Sequence, residues 1–260
     1  MTDEATRHKA TELLRLHQAE QLLTVVNVWD VISATVVADT PGTTALATAS
    51  HSIAASYGFP DGEQIPVDLM IEAVGRISAA TELPVSADLE AGYGDPAETI
   101  RKAIGVGIVG ANLEDQMKPL GESVAAVEAV VHVAAEEGID FVLNARTDAF
   151  LRAGDRDPAD VLADAIERGR AFIDAGAQVV FVPGKLDERQ VSSLVEAWGR
   201  QRLTVIGVPG SLPLSLLAKL GVARVSYGPW SQRVAMTALQ DLVLDVYAGG
   251  GLPEGTRPLN

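Results

Sequence analysis

The sequence predicts a (β/α)8 barrel, the TIM-barrel fold of the α/β class, and three observations support this prediction. The chain has 260 residues, a length at which α/β barrels form one domain. Short apolar runs alternate with amphipathic stretches about eight times, at intervals of roughly 20–35 residues, as in a barrel of strand–helix units. The runs are rich in Val, Ile, Leu and Ala and are mostly apolar rather than alternating, which is typical of strands buried on both faces of a parallel sheet.

The predicted strands are the eight apolar runs Leu22–Val28, Thr43–Thr48, Pro84–Asp88, Gly110–Glu114, Asp140–Arg146, Gln178–Val182, Leu203–Val208 and Ala223–Tyr227. Helices are predicted near 4–20, 31–39, 66–81, 96–107, 122–138, 157–176, 187–199, 212–221 and 230–247. Two helices have clear start signals, because Asp95-Pro96 and Asp157-Pro158 each provide an N-cap followed by proline at the first helical position. Glycines stand where four helices would end, at positions 107, 138, 176 and 221.

A doubly wound parallel sheet is the alternative fold for this pattern. That fold usually has fewer strands, and its glycine-rich fingerprint after the first strand is absent, since residues 27–30 read Asn-Val-Trp-Asp. No low-complexity linker divides the chain. We therefore expect residues 1–260 to form a single barrel domain with an N-terminal helix, and Gly249–Gly251 to begin a flexible C-terminal tail.

Composition and charge argue against several classes of function. The chain has 20 Lys and Arg against 35 Asp and Glu, a formal net charge of −15, which disfavours nucleic acid and anionic membranes as partners. It has no cysteine, so disulfides, thiolate metal sites and cysteine nucleophiles are impossible. No apolar run approaches the length of a membrane span, and the first residues lack the apolar core of a signal peptide. We expect a cytoplasmic protein.

Acidic residues gather where the predicted strands end, which is where the active site of a barrel lies. Asp88 and Glu90 end the third strand and Glu114 ends the fourth, with Asp61 in the connection after the second strand. On an extended strand Asp88 and Glu90 would point the same way. Carboxylates without cysteine and with little histidine suit a hard cation, so we expect Mg²⁺, or Mn²⁺, with one carboxylate bound directly and the others through water.

Arg146 is the cation that we place at the inner mouth of the barrel, after the fifth strand. Its planar guanidinium suits a pair of carboxylate or phosphonate oxygens. A metal beside an arginine predicts a site for a small α-oxo acid, where the metal would chelate carboxylate and keto oxygens and stabilise an enolate. Alternatively, Arg146 is structural and pairs with Asp148 or Glu114.

Other candidate residues also have ordinary structural interpretations. Asp61 lies in a Pro-Asp-Gly turn, Asp115 can cap the segment after it, and His51 can be a packed histidine. The proton donor stays open between His51, Tyr57, Lys118 and a water on the metal. The catalytic candidates are Arg146, Asp61, His51 and Lys118.

Four strings of residues carry a resemblance to a known family. In chain order they are Gly58-Phe59-Pro60-Asp61-Gly62, Asp88-Leu89-Glu90-Ala91-Gly92-Tyr93-Gly94, Asn112-Leu113-Glu114-Asp115 and Asn144-Ala145-Arg146-Thr147-Asp148-Ala149. With these strings in order across about residues 22–230, the chain resembles the isocitrate lyase/phosphoenolpyruvate mutase superfamily.

The resemblance implies a barrel whose last helix swaps between neighbouring subunits, in a dimer or a dimer of dimers. It implies Mg²⁺ held by Asp88, with Glu90, Glu114 and Asp61 acting through water. It also implies an α-oxo acid substrate bound by Arg146, by backbone amides of residues 48–51 (Ala49 and Ser50) and by Asn144. Members of the superfamily cleave or form C–C or C–P bonds beside an α-oxo acid through a pyruvate-type enolate.

The sequence departs from the superfamily pattern at two loops. Residues 116–123 are short and contain no cysteine where isocitrate and methylisocitrate lyases have a Lys-Lys-Cys-Gly-His loop, so those two activities are not expected. The phosphonomutases have a longer loop, of which only Lys118 remains here. Residues 48–51 read Thr-Ala-Ser-His instead of the usual Ser-Gly pair. The compact, cysteine-free pattern is more similar to the decarboxylase and hydrolase members.

These observations lead to one main hypothesis and three alternatives. The main one is an Mg²⁺-dependent lyase that cleaves a C–C or C–P bond next to a small α-oxo acid. A phosphoenolpyruvate or phosphonopyruvate mutase or hydrolase is the first alternative, and a Schiff-base aldolase using Lys185, after the sixth strand, is the second. The third is a non-catalytic oxo-acid binder, with an anion held at loops 207–211 and 227–229.

Overall fold

The computed structural model describes residues 2–259, which form a parallel β-barrel surrounded by helices. The strand order is β1-β9-β8-β7-β6-β5-β4-β3-β2, and every pairing is parallel. The strands are β1 (Leu23–Val25), β2 (Asn27–Val28), β3 (Leu46–Thr48), β4 (Val85–Asp88), β5 (Gly110–Glu114), β6 (Val142–Arg146), β7 (Val179–Val182), β8 (Leu203–Ile206) and β9 (Arg224–Ser226). The prediction of a (β/α)8 barrel is confirmed.

The first predicted strand, Leu22–Val28, was wrong in one respect, because the structure divides it at Val26. β1 pairs with β9, in the register Leu23↔Arg224, whereas β2 pairs with β3 on the other side. The two halves of this one run therefore join the last strand to the second and bring the barrel to near closure. Apolar character alone does not reveal such a break, because both ends of β1 and both residues of β2 are buried.

Helices cover the outside of the strands and begin close to where the sequence predicts. They are α1 (Glu4–Gln18), α2 (Val31–Ala38), α3 (Ser50–Ser56), α4 (Val67–Ala79), α5 (Pro96–Gly105), α6 (Leu120–Glu137), α7 (Pro158–Asp174), α8 (Glu188–Trp198), α9 (Leu214–Leu220) and α10 (Trp230–Tyr247). The predicted caps are confirmed: the side chains of Asp95 and Asp157 accept hydrogen bonds from the backbone N–H groups of Glu98 and Ala159. Helix α3 was not predicted, because the sequence was interpreted there as a loop.

Helix α1 closes the amino end of the barrel. Its Ala10 and Leu13 are buried against Leu23, Val142 and Val179, in a cluster separate from the larger core between the strands and the other helices. This cluster seals the end of the barrel opposite the carboxyl ends of the strands.

The last helix, α10, differs from the others because none of its residues is buried. Met236, Leu239, Val243 and Tyr247 are exposed and are spaced so that they share one face of the helix. Within residues 2–259, no helix has the length and apolar character that crossing a membrane requires.

Candidate active site

Asp88, the last residue of β4, is held at the mouth of the barrel by uncharged donors. Its Oδ2 accepts hydrogen bonds from the backbone N (3.1 Å) and Oγ (2.8 Å) of Ser50. Its own backbone N donates to Oγ1 of Thr48 at 2.9 Å. The carboxylate is thus fixed in orientation, and no arginine or lysine forms an ion pair with it among the described residues.

A chain of side-chain hydrogen bonds crosses the barrel interior and ends at Asp88. Oγ1 of Thr204 donates to Oδ1 of Asn144 (2.7 Å), and Nδ2 of Asn144 donates to Oδ1 of Asn112 (2.7 Å). Nδ2 of Asn112 then lies 3.5 Å from Oδ1 of Asp88. Asn144 was expected to bind substrate, but it is 1% exposed and both ends of its amide bond protein groups. Its position indicates that it orients Asn112 instead.

Glu90 does not continue the strand as the sequence analysis assumed. Its φ of 53° is left-handed, so the argument that Asp88 and Glu90 point the same way along an extended strand was wrong. Oε1 of Glu90 accepts a hydrogen bond from the hydroxyl of Tyr93 at 3.0 Å, and Oε2 accepts one from the backbone N of Glu63. Glu63 in turn accepts a hydrogen bond from the backbone N of Tyr93 at 2.5 Å. The loop between α3 and α4 is therefore hydrogen-bonded to the loop between β4 and α5.

Glu63 and Tyr93 had no role in the sequence analysis. Tyr93 lies inside one of the strings that carry the family resemblance. Glu63 follows the Asp61-Gly62 turn and has a left-handed φ of 61°. Nothing in its local sequence indicates a partner 27 residues further along the chain. Only the folded arrangement of the two loops brings these groups together.

Arg146 forms two short ion pairs at the mouth. Its Nη1 lies 2.7 Å from Oε2 of Glu114, and its Nε lies 2.7 Å from Oδ1 of Asp148. Both pairings that the sequence analysis kept as the structural alternative are thus present. Burial acts to lower the pKa of Arg146, but the charges of Glu114 and Asp148 outweigh it and raise the pKa. The guanidinium stays charged and is held in one orientation.

The two glutamates of the site are hard to ionise in this arrangement. Burial raises the pKa of Glu90 to about 7 against the hydrogen bonds from Glu63 and Tyr93, and the charges of Asp88 and Asp61 raise it further. Burial also raises the pKa of Glu114 to about 7 against the attraction of Arg146. The cause is the same in both cases: a carboxylate removed from water beside other carboxylates disfavours the charged form. A cation at the mouth would reverse this effect.

Ala49, Ser50 and His51 lie at the start of α3, not in a loop. Ala49 is the N-cap, with its φ of −128° in the extended region, and Ser50 is the first helical residue. The first backbone N–H groups of a helix have no partner within the helix, so they point out of its amino end. His51 is half-buried, and its Nδ1 is buried without a hydrogen-bond partner among the described residues. The sequence thus identified the correct segment with the wrong backbone conformation.

Asp61 and Lys118 lie on the rim of the mouth, and both are exposed. The negative charge of Asp61 raises the pKa of Glu90, so the Asp61 carboxylate lies near the site, although it does not form its wall. Lys118 lines a side cavity of about 170 Å³ that also borders Glu114 and Arg146. The structure therefore brings the predicted residues to one end of the barrel, with Asn144 below the mouth.

Arg224 is a second cation inside the barrel, besides Arg146, and the sequence analysis missed it. It lies on β9, is 1% exposed, and donates from Nη1 to Oγ of Ser86 at 3.0 Å. Burial lowers its pKa to about 10, and the charge of Asp88 opposes this. Its position inside an apolar run (Ala-Arg-Val) was the available signal, since an arginine in a buried strand must face the barrel interior.

The residues present fit a magnesium ion in chemistry but do not form a complete cage for one. Among residues 2–259 no group of three or more His, Cys, Asp or Glu side chains is arranged to bind a single metal ion. The donors at the mouth are all oxygen, and the acidic side chains Asp88, Glu90, Glu114 and Asp148 outnumber Arg146. Mg²⁺ usually keeps several waters and takes one or two carboxylates directly. A site with one directly bound carboxylate would match that preference.

Two other predicted sites do not have the required geometry. Oδ1 of Asn27 accepts hydrogen bonds from the backbone N–H groups of Tyr227 (2.7 Å) and Gly228 (2.8 Å), and Val208 N donates to Oγ of Ser211 (2.9 Å). The backbone N–H groups of Val208, Tyr227 and Gly228 are thus already used and are not available to an anion. Lys185 is exposed, so it lacks the burial that activates a Schiff-base lysine.

The chain is similar to known proteins along most of its length. The sequence profile of the family described as phosphoenolpyruvate phosphomutase matches residues 13–247. The 2-methylisocitrate lyase of Shewanella oneidensis (strain MR-1) is 33% identical over 202 residues, which are 71% of this chain and 66% of that enzyme.

Two solved structures share the fold closely. One, from Burkholderia cenocepacia J2315 and provisionally described as a phosphonomutase, is 42% identical and covers 91% of this chain and 99% of its own, with a TM-score of 0.85. Oxaloacetate acetylhydrolase, solved with its product oxalate, is 26% identical and covers 99% of this chain and 93% of its own, with a TM-score of 0.86. Because the family profile spans nearly all of the barrel, this chain belongs to the phosphoenolpyruvate phosphomutase family, within the PEP mutase/isocitrate lyase superfamily of lyases and mutases.

Proposed function

We propose that this protein is a Mg²⁺-dependent lyase, with Mn²⁺ as a substitute, that cleaves a C–C bond next to a small α-oxo acid through an enolpyruvate-type intermediate. The observation that carries the proposal is the arrangement at the mouth. Asp88 is oriented by uncharged donors, and Glu114 and Arg146 lie beside it in a charged pair. Two related enzymes are named for small acids, oxaloacetate acetylhydrolase and 2,3-dimethylmalate lyase, and they support the substrate class.

Asp88 would hold the metal directly, and Glu90, Glu114 and Asp61 would contact it through water. When bound, the metal supplies positive charge that stabilises an enolate. The hydrogen bonds from Ser50 keep one oxygen of Asp88 in place. The raised pKa values of Glu90 and Glu114 indicate that this pocket holds more negative charge than it can stabilise alone.

The substrate carboxylate would bind to Arg146 and to the amino end of α3. Arg146 has further N–H groups besides those that pair with Glu114 and Asp148, because a guanidinium carries five. At α3 the backbone N of Ser50 already donates to Asp88. The backbone N–H groups of Ala49 and His51 are therefore the ones assigned to the substrate.

His51 is the group assigned to proton transfer. Lys118 and Tyr57 are exposed on the rim, whereas His51 is half-buried and directly follows Ser50, which contacts Asp88. An imidazole can both take and return a proton through its ring nitrogens. The absence of cysteine excludes the cysteine general acid of the isocitrate lyase pattern.

Phosphonopyruvate chemistry is the second candidate. It is favoured by the 42% identity to the protein provisionally described as a phosphonomutase. Arg146 suits a phosphonate as well as a carboxylate, because both offer a pair of oxygens. The short 115–119 connection argues against it, since few groups there can cover a transferred phosphoryl group.

A substrate screen tests the proposal. The purified protein is incubated with Mg²⁺ and, separately, with oxaloacetate, 2,3-dimethylmalate, 2-methylisocitrate and phosphonopyruvate, and products are followed by NMR. We expect cleavage of at least one carbon–carbon substrate and its loss in EDTA. Turnover of phosphonopyruvate alone would replace the lyase with the second candidate, and turnover that persists in EDTA would contradict both.

A further inference from the structure

The connection between β5 and α6, residues 115–119, is short, and three of its backbone N–H groups donate hydrogen bonds. The backbone N of Asp115 donates to the carbonyl of Arg146 at 2.9 Å. The backbone N of Met117 donates to Oδ1 of Asp115 at 2.9 Å, and that of Lys118 donates to the carbonyl of Asp115 at 2.8 Å. A segment that opened and closed would have to break these bonds in each cycle.

The same connection has an unusual backbone. Gln116 and Met117 both have left-handed φ values, 48° and 56°, which L-residues other than glycine seldom adopt. Two such residues in succession need surrounding contacts to hold them there. The contacts come from the side chain of Asp115 and from helix α7.

Arg168, on α7, is the residue that links these contacts. Its Nη1 lies 3.2 Å from Oδ2 of Asp115 and donates to the carbonyl of Lys118 at 3.1 Å. Its Nε bonds Oδ1 of Asp164 at 3.0 Å, one turn earlier on α7. The side chain is 10% exposed and that of Asp115 is 1% exposed. Asp115 is thus a buried charge that depends on Arg168 for compensation.

Asp115 transmits this constraint to Arg146. Its Oδ1 accepts a second hydrogen bond from the backbone N of Asp148, at 3.0 Å. The carboxylate of Asp148 bonds Nε of Arg146. The contacts therefore run without interruption from Arg168 through Asp115 and Asp148 to the guanidinium at the mouth.

We propose that Arg168 is a positioning residue that fixes residues 115–119 as a permanent wall of the site and, through Asp115 and Asp148, sets the orientation of Arg146. The wall is a structural statement about this chain. The effect on ligand binding rests on the proposed function, in which Arg146 binds the substrate carboxylate. Arg168 contacts neither substrate nor metal.

Hydrogen exchange and oxalate binding together test this assignment in the full-length protein. The variants are Arg168→Met, Arg168→Lys and, as the matched control, Arg170→Met, which removes an exposed arginine from the same helix. Exchange is measured in peptides covering 115–119 and 147–149, and oxalate affinity is measured by calorimetry with Mg²⁺ present.

In the wild-type protein we expect the amides of Asp115, Met117 and Lys118 to be protected, because each donates a hydrogen bond. In Arg168→Met we expect exchange there and at Asp148 to be at least tenfold faster and the oxalate Kd to rise at least tenfold, while strands β7 to β9 keep their protection. Arg168→Lys should restore part of both, since an ammonium can bond Asp115 but lacks the planar fork. Arg170→Met should change neither.

Unprotected amides at 115–119 in the wild-type protein would show a mobile gate and overturn the proposal. So would an oxalate affinity in Arg168→Met equal to that of Arg170→Met. If Arg168→Met does not fold, Arg168→Lys is compared with Arg170→Met instead, and a smaller increase in exchange rate and in oxalate Kd is expected. If the wild-type protein binds no oxalate, the proposed function fails, and the exchange measurements still decide whether Arg168 fixes the wall.

Discussion

Arg146 and Glu114 are register partners on neighbouring parallel strands, and their side chains form a partly buried ion pair with 2.7 Å between Nη1 and Oε2. The pairing of β5 with β6 thus places an acid beside a base at the carboxyl end of the barrel. An arginine held in this way is oriented before any ligand arrives. Part of its guanidinium is already bonded to Glu114, so a substrate carboxylate must share Arg146 with that residue.

The first prediction concerns this arginine. In Arg146→Lys, a single ammonium replaces a fork that bonds two carboxylates, so either Glu114 or Asp148 loses its partner. We expect kcat/KM for the substrate identified by the screen to fall about 100-fold, which corresponds to roughly 3 kcal/mol. Arg152→Lys is the control, since Arg152 is exposed and its contact with Asp148 is longer, at 3.6 Å. Equal effects of the two changes would contradict a direct role for Arg146.

The second prediction concerns the metal. Asp88→Asn keeps an oxygen that can accept from Ser50 but removes the negative charge, so Mn²⁺ affinity measured by electron paramagnetic resonance should fall at least tenfold. Asp61→Asn should have a smaller effect, because Asp61 is exposed on the rim. Metal binding by Asp88→Asn at wild-type strength would remove Asp88 from the ligand set.

The third prediction concerns stability and pH. His17 is buried at the end of α1, and its Nδ1 bonds the carbonyl of Leu13 at 2.8 Å. Burial lowers its pKa to about 3, and the charge of Arg224 adds to this. A folded pKa below the unfolded value of about 6.5 means that protonation favours unfolding. Its contribution to stability is therefore complete above pH 6.5 and declines as the pH falls toward 3.

The comparison of wild type with His17→Gln isolates this effect from the titration of the carboxylates. The difference in the free energy of unfolding between the two should shift by about 2 kcal/mol against the wild type between pH 7.5 and 5.0. Urea unfolding at each pH measures it. His8→Gln, at an exposed position on the same helix, should show no such shift. Parallel pH curves for wild type and His17→Gln would disprove a buried neutral His17.

The fourth prediction concerns α10 and oligomeric state. Its exposed stripe of Met236, Leu239, Val243 and Tyr247 is what a helix presents to a neighbouring subunit. We expect the native mass to be a multiple of 27.3 kDa by light scattering. The double variant Leu239→Glu with Val243→Glu should reduce it. Ala238→Glu, on another face of the helix, should not, and a monomeric wild-type protein would refute the swapped-helix prediction.

Much of the barrel was predictable because its strands are buried on both faces. The runs are mostly apolar, and those of β4, β5 and β6 end in a charged residue where the chain leaves the core. That change in polarity is visible in the sequence and is enough to locate Asp88, Glu114 and Arg146. The short helix α3 escaped prediction because its Ser-His-Ser start lacks an amphipathic pattern, and its N-cap Ala49 makes no side-chain hydrogen bond.

The order of residues along the chain determined the fold, the end of the barrel at which the site lies, and the oxygen-rich chemistry of that site. These depend on hydrophobic periodicity and on local residue types, which a sequence displays directly. Only the tertiary structure decided which groups bond one another: Glu63 to Glu90, Arg168 to Asp115, and Asn144 to Asn112. Such contacts join residues 27 to 53 positions apart, and their formation depends on strand register and loop path, which a pattern of residue types does not encode.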